Sequence, residues 1–321
     1  MRAAAIDRFG GPQVLKTRHL PIPKISAQEV LIKIDTAGVG SWDARARDGE
    51  WGEREDFPFI LGVDGSGVVA ATGAQVRRFK KGDRVYAYSY DNPKGGFYAE
   101  YVAVSASKVA AVPKPLDMVH AGALATIGLT ALQGVDDALE TQPGERLIIH
   151  GASGNVGMIA LQFAKLRGAR VLATASGRDG LDLVRRLGAD AAVDGKRSDI
   201  GKAAREFAPD GIDAVLAFVG GKELTRCLDA LRKGGRLAYP NGIEPEPRKR
   251  KGIRVKAYDA VPGAREFERL GRAVEEADLD VPIAATFKLE DAVAAHRFIE
   301  KGHVVGKVVI RITTSSRSAA R

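Results

Sequence analysis

The spacing of apolar and polar residues divides the chain into two kinds of segment. Up to residue 115, short apolar runs alternate with turns such as Lys-Gly-Asp at 81–83, and the pattern predicts strands over residues 30–34, 67–71, 84–87 and 98–104. Short strands at close spacing are typical of a barrel-like all-β unit. The first third of the chain is therefore predicted to be a β domain.

A different pattern follows Pro113 and Pro115. Residues 118–138 are rich in Ala and Leu and predict a long helix. From residue 145 onward, predicted strands at 146–150, 170–175, 191–193, 214–218, 236–239 and 253–257 alternate with predicted helices at 155–167, 179–187, 198–207 and 222–232. This alternation predicts an α/β fold class with a Rossmann-type, doubly wound parallel sheet.

The last part of the chain predicts helices over residues 264–277 and 289–300 and a strand over 307–312. Because this segment is too small for a core of its own, we expect it to pack against the N-terminal β unit. The domain prediction is therefore a catalytic domain at 1–117 that is completed by 261–312, around a nucleotide-binding domain at 118–260. The polar tail, 313–321, is predicted to be disordered.

Composition narrows the class of protein. The chain has 321 residues and 45% apolar residues, as expected for a globular protein of two domains. Its one cysteine, Cys227, excludes an intrachain disulfide framework and a Cys-rich zinc site, and is predicted to be a buried small apolar residue. Neither a secretory signal nor an uninterrupted apolar span is evident, so we expect a cytoplasmic protein without a membrane partner.

The net charge of +9 raises the question of a nucleic-acid partner. Basic residues form a continuous run only at 248–251, and no helix-turn-helix, zinc-finger or RNA-recognition pattern accompanies it. We therefore predict no nucleic-acid partner and interpret the charge as a basic surface that suits a phosphorylated cofactor.

The segment 151–157, Gly-Ala-Ser-Gly-Asn-Val-Gly, joins the first strand of the α/β part to a helix. Ala152, Gly154 and Gly157 occupy the three positions of the dinucleotide fingerprint, and Ser153, Asn155 and Val156 lie between them. Such a loop lets a pyrophosphate approach the backbone at a helix N-terminus. The alternative, a tight turn without a ligand, is less consistent with the strand before it and the helix after it.

The end of the second strand bears on the choice of cofactor. An NAD-preferring site places an acid there to accept a hydrogen bond from the ribose 2′-hydroxyl. This chain has Ser176 and Arg178 instead, which favour a 2′-phosphate and hence NADPH, although Asp179 is close by. The alternative is that Arg178 is an ordinary surface residue.

Eight motifs together are similar to those of a known family: TAGV at 36–39, LGVDGSG at 61–67, KGDRV at 81–85, GGFYAEYV at 95–102, GLTA at 128–131, GASGNVG at 151–157, LGAD at 187–190 and GHVVGK at 302–307. The chain resembles the zinc-free medium-chain dehydrogenases/reductases of the quinone oxidoreductase (zeta-crystallin-like) group. This resemblance implies a GroES-like β-barrel domain beside the Rossmann domain, a cofactor in the cleft between them and often a homodimer.

The resemblance also implies site residues. It places Thr130 beside the nicotinamide, and the predicted cofactor site further includes Phe218, Val219, Gly220, Asn241 and Lys307. Zinc-using relatives carry metal ligands where this chain has Gly40, Val63 and Thr126, and none of these is a plausible zinc ligand. We therefore predict no metal.

Without zinc, the easier substrate is a quinone or an α,β-unsaturated carbonyl, reduced by direct hydride transfer. Hydrogen-bond donors must then stabilise the developing oxyanion. Candidate catalytic residues are Ser41, Trp42, Asp43 and Arg45, which follow Gly40, and Tyr88; Trp51 and Tyr90 are further candidates for the cleft wall.

Each of these candidates has a structural alternative. Asp43 could cap a helix, Trp42 and Trp51 could belong to the core or to a dimer contact, and Tyr88 and Tyr90 could be ordinary strand residues. His150 is predicted to be structural, and His296 and His303 are predicted to lie on the surface.

Two other functions remain open from the sequence. One is reduction of an enoyl thioester, which needs a groove for a long acyl carrier, and no insertion suggests one. The other is a non-catalytic NADPH-binding protein.

A homodimer is predicted to form through the edge strand at 253–257, although Lys256 and the preceding basic run argue against it.

Overall fold

The computed structural model describes residues 1–50, 56–248 and 250–312. Trp51 and the predicted disordered tail, 313–321, lie outside the described residues. The strands are β1 (Arg2–Ile6), β2 (Lys16–His19), β3 (Glu29–Val39), β4 (Phe59–Ile60), β5 (Asp64–Thr72), β6 (Arg84–Tyr88), β7 (Tyr101–Ser105), β8 (Val109–Ala111), β9 (Arg146–His150), β10 (Arg170–Ala175), β11 (Ala191–Asp194), β12 (Ile212–Ala217), β13 (Leu231–Pro240), β14 (Arg254–Tyr258), β15 (Ile283–Lys288) and β16 (Lys307–Arg311).

The helices are α1 (Ser41–Asp48), α2 (Met118–Gln133), α3 (Gly157–Leu166), α4 (Gly177–Arg186), α5 (Ile200–Phe207), α6 (Lys222–Asp229), α7 (Ala264–Ala277) and α8 (Ala292–Glu300). Short 3₁₀ turns lie at Pro12–Val14, Ala106–Lys108 and Leu289–Asp291, and a π-helical turn at Gly134–Ala138 extends α2. The sequence pattern missed α1 because its eight residues include four charged side chains and carry no clear apolar stripe.

In the described chain, β9 to β14 form a parallel sheet in the order β11-β10-β9-β12-β13-β14. This is the strand order of the dinucleotide-binding Rossmann fold, with its reversal between β9 and β12. Almost every side chain of β9 and β12 is buried, because helices cover both faces of the sheet. The predicted fold class is confirmed.

A second sheet has the order β15-β16-β3-β5-β6-β8, and β7 also pairs with β3. In this sheet β16 runs antiparallel to β3, so the C-terminal segment extends a sheet that the N-terminal segment begins. A small sheet of β2, β1 and β4 completes the GroES-like part. Long-range pairing of β16 with β3 brings residues near 40 and 307 together, although the sequence separates them widely.

Helix α2 joins the two parts of the molecule. It packs against β3 and β5 of the β domain and against α3 of the Rossmann domain. Residues 118–138 are long and apolar enough to cross a membrane by length and composition, but 83% of their apolar 18-residue window is buried within the protein. Its apolar character is therefore that of a core helix. The cytoplasmic location expected from the sequence stays a prediction.

Candidate active site

A cavity of about 480 Å³ opens at the carboxyl ends of the parallel strands. Its wall comes from the residues after β9, β10, β11 and β12 and from the segment before β16; it includes His150, Gly151, Ser153, Gly154, Ser176, Gly195, Lys196, Val219, Gly220 and His303. Ligands of doubly wound sheets bind in this crevice, where the strand order reverses. We call this space the cofactor cavity.

The loop between β9 and α3 fits a dinucleotide. A Cβ atom at Gly157 would lie 2.2 Å from the carbonyl oxygen of Gly151, so only glycine lets α3 begin directly against the end of β9. Ser153 and Gly154 face the cofactor cavity at this point. The positive end of the α3 dipole is therefore available to the phosphates of a cofactor.

The other loop residues support this shape from within. The amide of Ala152, which is fully buried, donates to the carbonyl oxygen of Thr174 at 2.9 Å. Val156 is also buried, and its amide donates to the side-chain oxygen of Asn155 at 2.8 Å. These three predicted residues thus shape the loop more than they line the cavity.

Four polar side chains lie near the point where β10 and β11 end. Ser176 and Lys196 line the cofactor cavity, and the Oγ of Ser176 lies 3.2 Å from Nδ1 of His303. The other ring nitrogen of His303 lies 3.1 Å from a carboxylate oxygen of Asp179. His303 is a half-exposed residue of the C-terminal segment, and it reaches across the cleft to the Rossmann domain.

Arg178 lies elsewhere. Its side chain is 95% exposed and pairs with Asp182 at 3.7 Å, and it is absent from the described wall of the cofactor cavity. The acid at the end of β11, Asp194, is occupied by backbone amides, including that of Gly177 at 3.2 Å. Burial acts to raise the pKa of Asp194, but these amide hydrogen bonds hold it below its usual value.

Other predicted cofactor residues are distributed around the cleft. The Thr130 hydroxyl donates to the Thr126 carbonyl oxygen at 2.8 Å, and Tyr258 donates to the Thr130 carbonyl oxygen at 2.9 Å, which anchors α2 to β14. Val219 and Gly220 line the cofactor cavity, with Phe218 next to them in the chain. The side-chain amide of Asn241, after β13, donates to Asp259 at 2.7 Å.

A second cavity, of about 150 Å³, lies in the β domain, and we call it the inner cavity. Its mainly apolar wall includes Phe59, Leu61 and Val63, and its polar groups come from Asp43, Ser89, Tyr90 and Asn92. Val63 also belongs to the large apolar cluster that extends into the Rossmann domain and includes Val156 of the cofactor loop.

Behind the inner cavity lies a buried charged cluster of Asp43, Asp64 and Lys307. All three side chains are essentially inaccessible to solvent. Oδ2 of Asp43 accepts from the Gly40 amide at 2.8 Å, and Oδ2 of Asp64 accepts from the Thr126 amide at 3.0 Å. Lys307, a predicted cofactor residue, belongs to this cluster and is not on the described wall of the cofactor cavity.

The Lys307 ammonium lies 4.5 Å from the centre of the Trp42 ring, a cation–π contact. Its Nζ has no hydrogen-bond partner among the described residues. Burial lowers the pKa of Lys307, while the charges of Asp64 and Asp43 act to raise it. The ammonium is thus held by charge and by the aromatic face of Trp42.

Deeper in the domain, Arg47 and His296 form a second buried pair. Nη1 of Arg47 lies 2.9 Å from Nδ1 of His296, and the same guanidinium pairs with Glu300 at 2.6 Å. Burial, reinforced by the charge of Arg47, lowers the pKa of His296 to about 3. The prediction that His296 lies on the surface is therefore wrong: its sequence position on α8 did not reveal that Arg47, from α1, covers it.

The remaining catalytic candidates are placed differently from one another. Ser41 is exposed, and Tyr88 is buried in the apolar core with its pKa raised by burial. Arg45 donates to Glu50 at 2.5 Å and to the carbonyl oxygen of Gly242 at 3.0 Å. Its guanidinium thus links α1 to the loop after β13, across the cleft between the two domains.

At positions where zinc-using relatives carry metal ligands, this chain leaves no room for a ligand side chain or carries an apolar one. A Cβ atom at Gly40 would lie 2.3 Å from the Trp42 ring, which therefore fills the space that a side chain at this position needs. Val63 is buried and apolar. Within residues 1–50, 56–248 and 250–312, no group of three or more His, Cys, Asp or Glu side chains is placed to hold a metal ion.

Comparisons with known proteins agree with this architecture. Residues 26–114 match the family model described as alcohol dehydrogenase GroES-like domain, and residues 187–310 match the one described as zinc-binding dehydrogenase. The chain is 32% identical to quinone oxidoreductase of Sus scrofa, over 97% of both chains. The chain belongs to the quinone oxidoreductase family of medium-chain dehydrogenases/reductases.

Other relatives extend the range of activities. The chain is 31% identical to 2-methylene-furan-3-one reductase of Solanum lycopersicum, over 97% of this chain and 79% of that one. Among solved structures, an NAD-dependent alcohol dehydrogenase is 32% identical with a TM-score of 0.89, covering 98% of this chain and 100% of the other. The quinone oxidoreductase of Coxiella burnetii is 32% identical with a TM-score of 0.87, over 98% and 99%.

A mycobacterial protein complexed with NADPH is 28% identical with a TM-score of 0.86, over 97% of this chain and 100% of that one. The family and the cofactor cavity together identify the chain as a nicotinamide-dependent oxidoreductase.

Sequence reasoning missed several residues that the structure brings to the two cavities. Lys196 lies two residues after the end of β11, and the carboxyl ends of parallel strands meet at one edge, so strand order could have pointed to it. His303 gave no such signal, because its neighbours Ser176 and Asp179 come from a distant segment. The prediction for Cys227 is confirmed: the thiol is buried, and burial raises its pKa to about 12.

Proposed function

We propose that this protein is an NADPH-dependent, zinc-independent reductase of quinones or α,β-unsaturated carbonyls. The observation that carries the proposal is the glycine-rich dinucleotide cavity of the Rossmann domain, in a chain whose β domain holds a second, small and mainly apolar inner cavity. The first suits a hydride donor and the second suits a compact, electron-poor acceptor. The quinone oxidoreductase and furanone reductase relatives support the same two substrate classes.

When bound, the nicotinamide supplies a hydride to the acceptor. The protein would hold the pyrophosphate at Ser153 and Gly154, and Val219 and Gly220 would flank the cofactor from β12. The inner cavity would position the acceptor and exclude water with Phe59 and Leu61. Positioning of this kind lowers the barrier because the reactants no longer lose orientational freedom at the transition state.

The choice of NADPH rests on the side chains near the ends of β10 and β11. Lys196 supplies a positive charge and Ser176 a hydroxyl to the cavity wall. The nearby acid Asp179 is already engaged by His303, and Asp194 by backbone amides. A 2′-phosphate would therefore meet donors here, although the NAD-dependent alcohol dehydrogenase among the solved relatives makes a direct measurement necessary.

Zinc independence rests on the three positions that bind zinc in relatives. Gly40 and Val63 have no side-chain ligand atom, and the Trp42 ring occupies the space beside Gly40. A quinone or enone needs no Lewis acid, because conjugation delocalises the incoming charge. The match to a family model described as zinc-binding dehydrogenase concerns residues 187–310, which exclude all three positions.

The size of the inner cavity also bears on the substrate. Its volume of about 150 Å³ is below the roughly 300–1,000 Å³ of pockets for drug-sized ligands. We therefore propose single-ring quinones and short enones or alkenals as acceptors, in preference to a polycyclic quinone or an enoyl thioester.

The test is a panel of acceptors with NADPH and NADH: 1,4-benzoquinone, 9,10-phenanthrenequinone, 2-hexenal and an enoyl-CoA. We expect NADPH oxidation with benzoquinone and 2-hexenal, weaker activity with the larger acceptors, and no loss of activity with a chelator. Elemental analysis should find no stoichiometric zinc. Cofactor binding without turnover of any acceptor would indicate a binding protein, and enoyl-CoA as the best acceptor would indicate a thioester reductase.

We also propose a homodimer formed through β14, the edge strand of the parallel sheet. Val255 is exposed on this edge. The argument against, the charge of Lys256, is weaker in the structure because its Nζ donates to the carbonyl oxygen of Asp137 in the same chain, at 2.6 Å.

A further inference from the structure

The inner cavity has one acidic side chain on its described wall, that of Asp43. This carboxyl group is inaccessible to bulk solvent, and the N-terminal end of α1 holds it in place. Its Oδ2 accepts from the Gly40 amide at 2.8 Å, and the Tyr98 hydroxyl also acts on the carboxyl group as a hydrogen-bond donor. A buried carboxyl group is costly in its ionised form unless charges, hydrogen bonds or a proton compensate.

Charged and polar groups from three other elements face this carboxyl group. Lys307 comes from β16, Asp64 from β5, and the Tyr98 hydroxyl from the segment before β7. With both carboxylates and the ammonium ionised, the cluster would carry one net negative charge in a site without solvent. One added proton makes the cluster neutral, so burial favours a state in which one carboxyl group is protonated.

The pKa of Asp43 follows from this balance. Burial raises it to about 7, and the charge of Asp64 acts in the same direction. The Gly40 amide, the Lys307 charge and the Tyr98 hydroxyl oppose the shift and keep the pKa from rising further. Asp43 is therefore poised to release and recover a proton near neutral pH. Asp64 is also shifted upward, but it is not on the described wall of the inner cavity.

We propose that Asp43 is the acid that protonates the reduced acceptor in the inner cavity, with Lys307 and Asp64 as positioning residues. This inference rests on the proposed function, because it supplies the second half of the reduction of a carbon–carbon double bond. The proposal gives the buried cluster of Asp43, Asp64 and Lys307 a role in the reaction.

Two bonds to hydrogen form in this reduction. With NADPH bound as the reductant, hydride addition at the β carbon of an enone would form one C–H bond and leave an enolate. The O–H bond of the Asp43 carboxyl group then breaks as a C–H bond forms at the α carbon. The resulting Asp43 carboxylate faces the Lys307 ammonium, and water that enters after product release restores the proton.

A quinone places a different demand on the protein. Hydride addition to a quinone leaves a hydroquinone anion, which is stable enough to leave the site and take its proton from water. No bond to carbon has to be protonated. Loss of Asp43 should therefore affect enones much more than quinones, a contrast that a general folding defect would not produce.

The test compares Asp43→Asn with the matched variant Asp64→Asn. In Asp43→Asn, the oxygen of the introduced side-chain amide can still accept from the Gly40 amide, so the end of α1 keeps its hydrogen bond, but the new side chain cannot deliver a proton. We expect enone turnover by Asp43→Asn to fall about 10²- to 10⁴-fold, and quinone turnover to fall much less. Wild-type enone turnover should decline as the pH rises through about 7, where Asp43 loses its proton.

This decline should vanish in Asp43→Asn. In Asp64→Asn it should move to lower pH, because removal of the Asp64 charge lowers the pKa of Asp43. A structural role for Asp43 would not produce this displacement. Infrared spectra of the cofactor-free wild-type protein should show a protonated-carboxyl band that disappears as the pH rises through about 7 and that Asp43→Asn lacks.

Two results would overturn the proposal: an unchanged pH profile and enone turnover in Asp43→Asn, or the absence of such a band from wild-type protein. The second measurement needs no variant, so a folding failure of Asp43→Asn leaves the proposal testable. If wild-type protein reduces neither acceptor, the proposed function fails, while the infrared result still reports on the proton of Asp43.

Discussion

The buried imidazole of His296 makes the stability of this protein depend on pH. In the folded state the ring is inaccessible and the Arg47 guanidinium lies 2.9 Å from its Nδ1, so burial and this charge lower its pKa to about 3. In the unfolded chain the pKa returns to its ordinary value of 6.5. The unfolded state therefore binds the extra proton between these two values.

The sign and size of the effect follow from this difference. Because the folded-state pKa is depressed, the stability is fully present above pH 6.5 and is lost progressively as the pH falls toward 3. At pH 5, protonation of this imidazole in the unfolded chain lowers the free energy of unfolding by about 2 kcal/mol relative to pH 7. For a chain of this length, that corresponds to roughly 3 °C in the melting temperature.

The variant His296→Asn tests this reasoning. An Asn oxygen can take the place of Nδ1 as an acceptor for Arg47, but the side chain no longer titrates. We expect some loss of stability at pH 7 from the smaller side chain, and a change between pH 7 and pH 5 that is about 2 kcal/mol smaller than in wild type. Urea titrations at pH 5, 6 and 7 give these free energies.

The matched control is His19→Asn, since His19 is exposed on β2. It should leave the pH dependence unchanged. Equal pH dependence of the wild-type and His296→Asn proteins would show that the imidazole is not held neutral, and would refute the argument from burial. Burial lowers the pKa of His150 to about 4, so this imidazole should also make the free energy of unfolding fall as the pH drops.

Other predictions follow from the cofactor cavity and the sheet edge. In fluorescence titrations, Lys196→Ala should weaken NADPH binding by roughly 10- to 150-fold and leave NADH binding nearly unchanged. Arg178→Ala, at an exposed position, should weaken NADPH binding less. A larger effect of Arg178→Ala would show that Arg178 is the main contact. Gly157→Ala should weaken the binding of NADPH and of NADH alike, because the added Cβ would lie 2.2 Å from the Gly151 carbonyl oxygen. Unchanged affinity would show that α3 can shift to make room. Light scattering should give twice the mass of the 34.1 kDa chain, and Val255→Lys should yield monomers; a monomeric wild-type protein at micromolar concentration would contradict the proposed β14 interface.

The Rossmann domain could be predicted from the sequence in most of its elements. Predicted strands at 146–150 and 170–175 agree with β9 and β10 in both bounds, because fully buried parallel strands are continuous apolar runs. The glycine-rich loop was equally readable, since its spacing reflects a close approach of the backbone that only glycine allows. The β domain was less predictable: β1, β2, β4 and α1 are short, and their burial depends on segments far away in the chain.

The cofactor site and the acceptor site differ in the same way. Loop 151–157 is local, so its chemistry could be recognised from neighbouring residues. The buried cluster of Asp43, Asp64 and Lys307 is not local, because it forms only when β16 pairs with β3 and β5 lies beside it. The sequence determined which loop could bind a dinucleotide. Only the tertiary structure placed the Lys307 ammonium beside two carboxyl groups, because long-range strand pairing and burial decide which charges share a site without solvent.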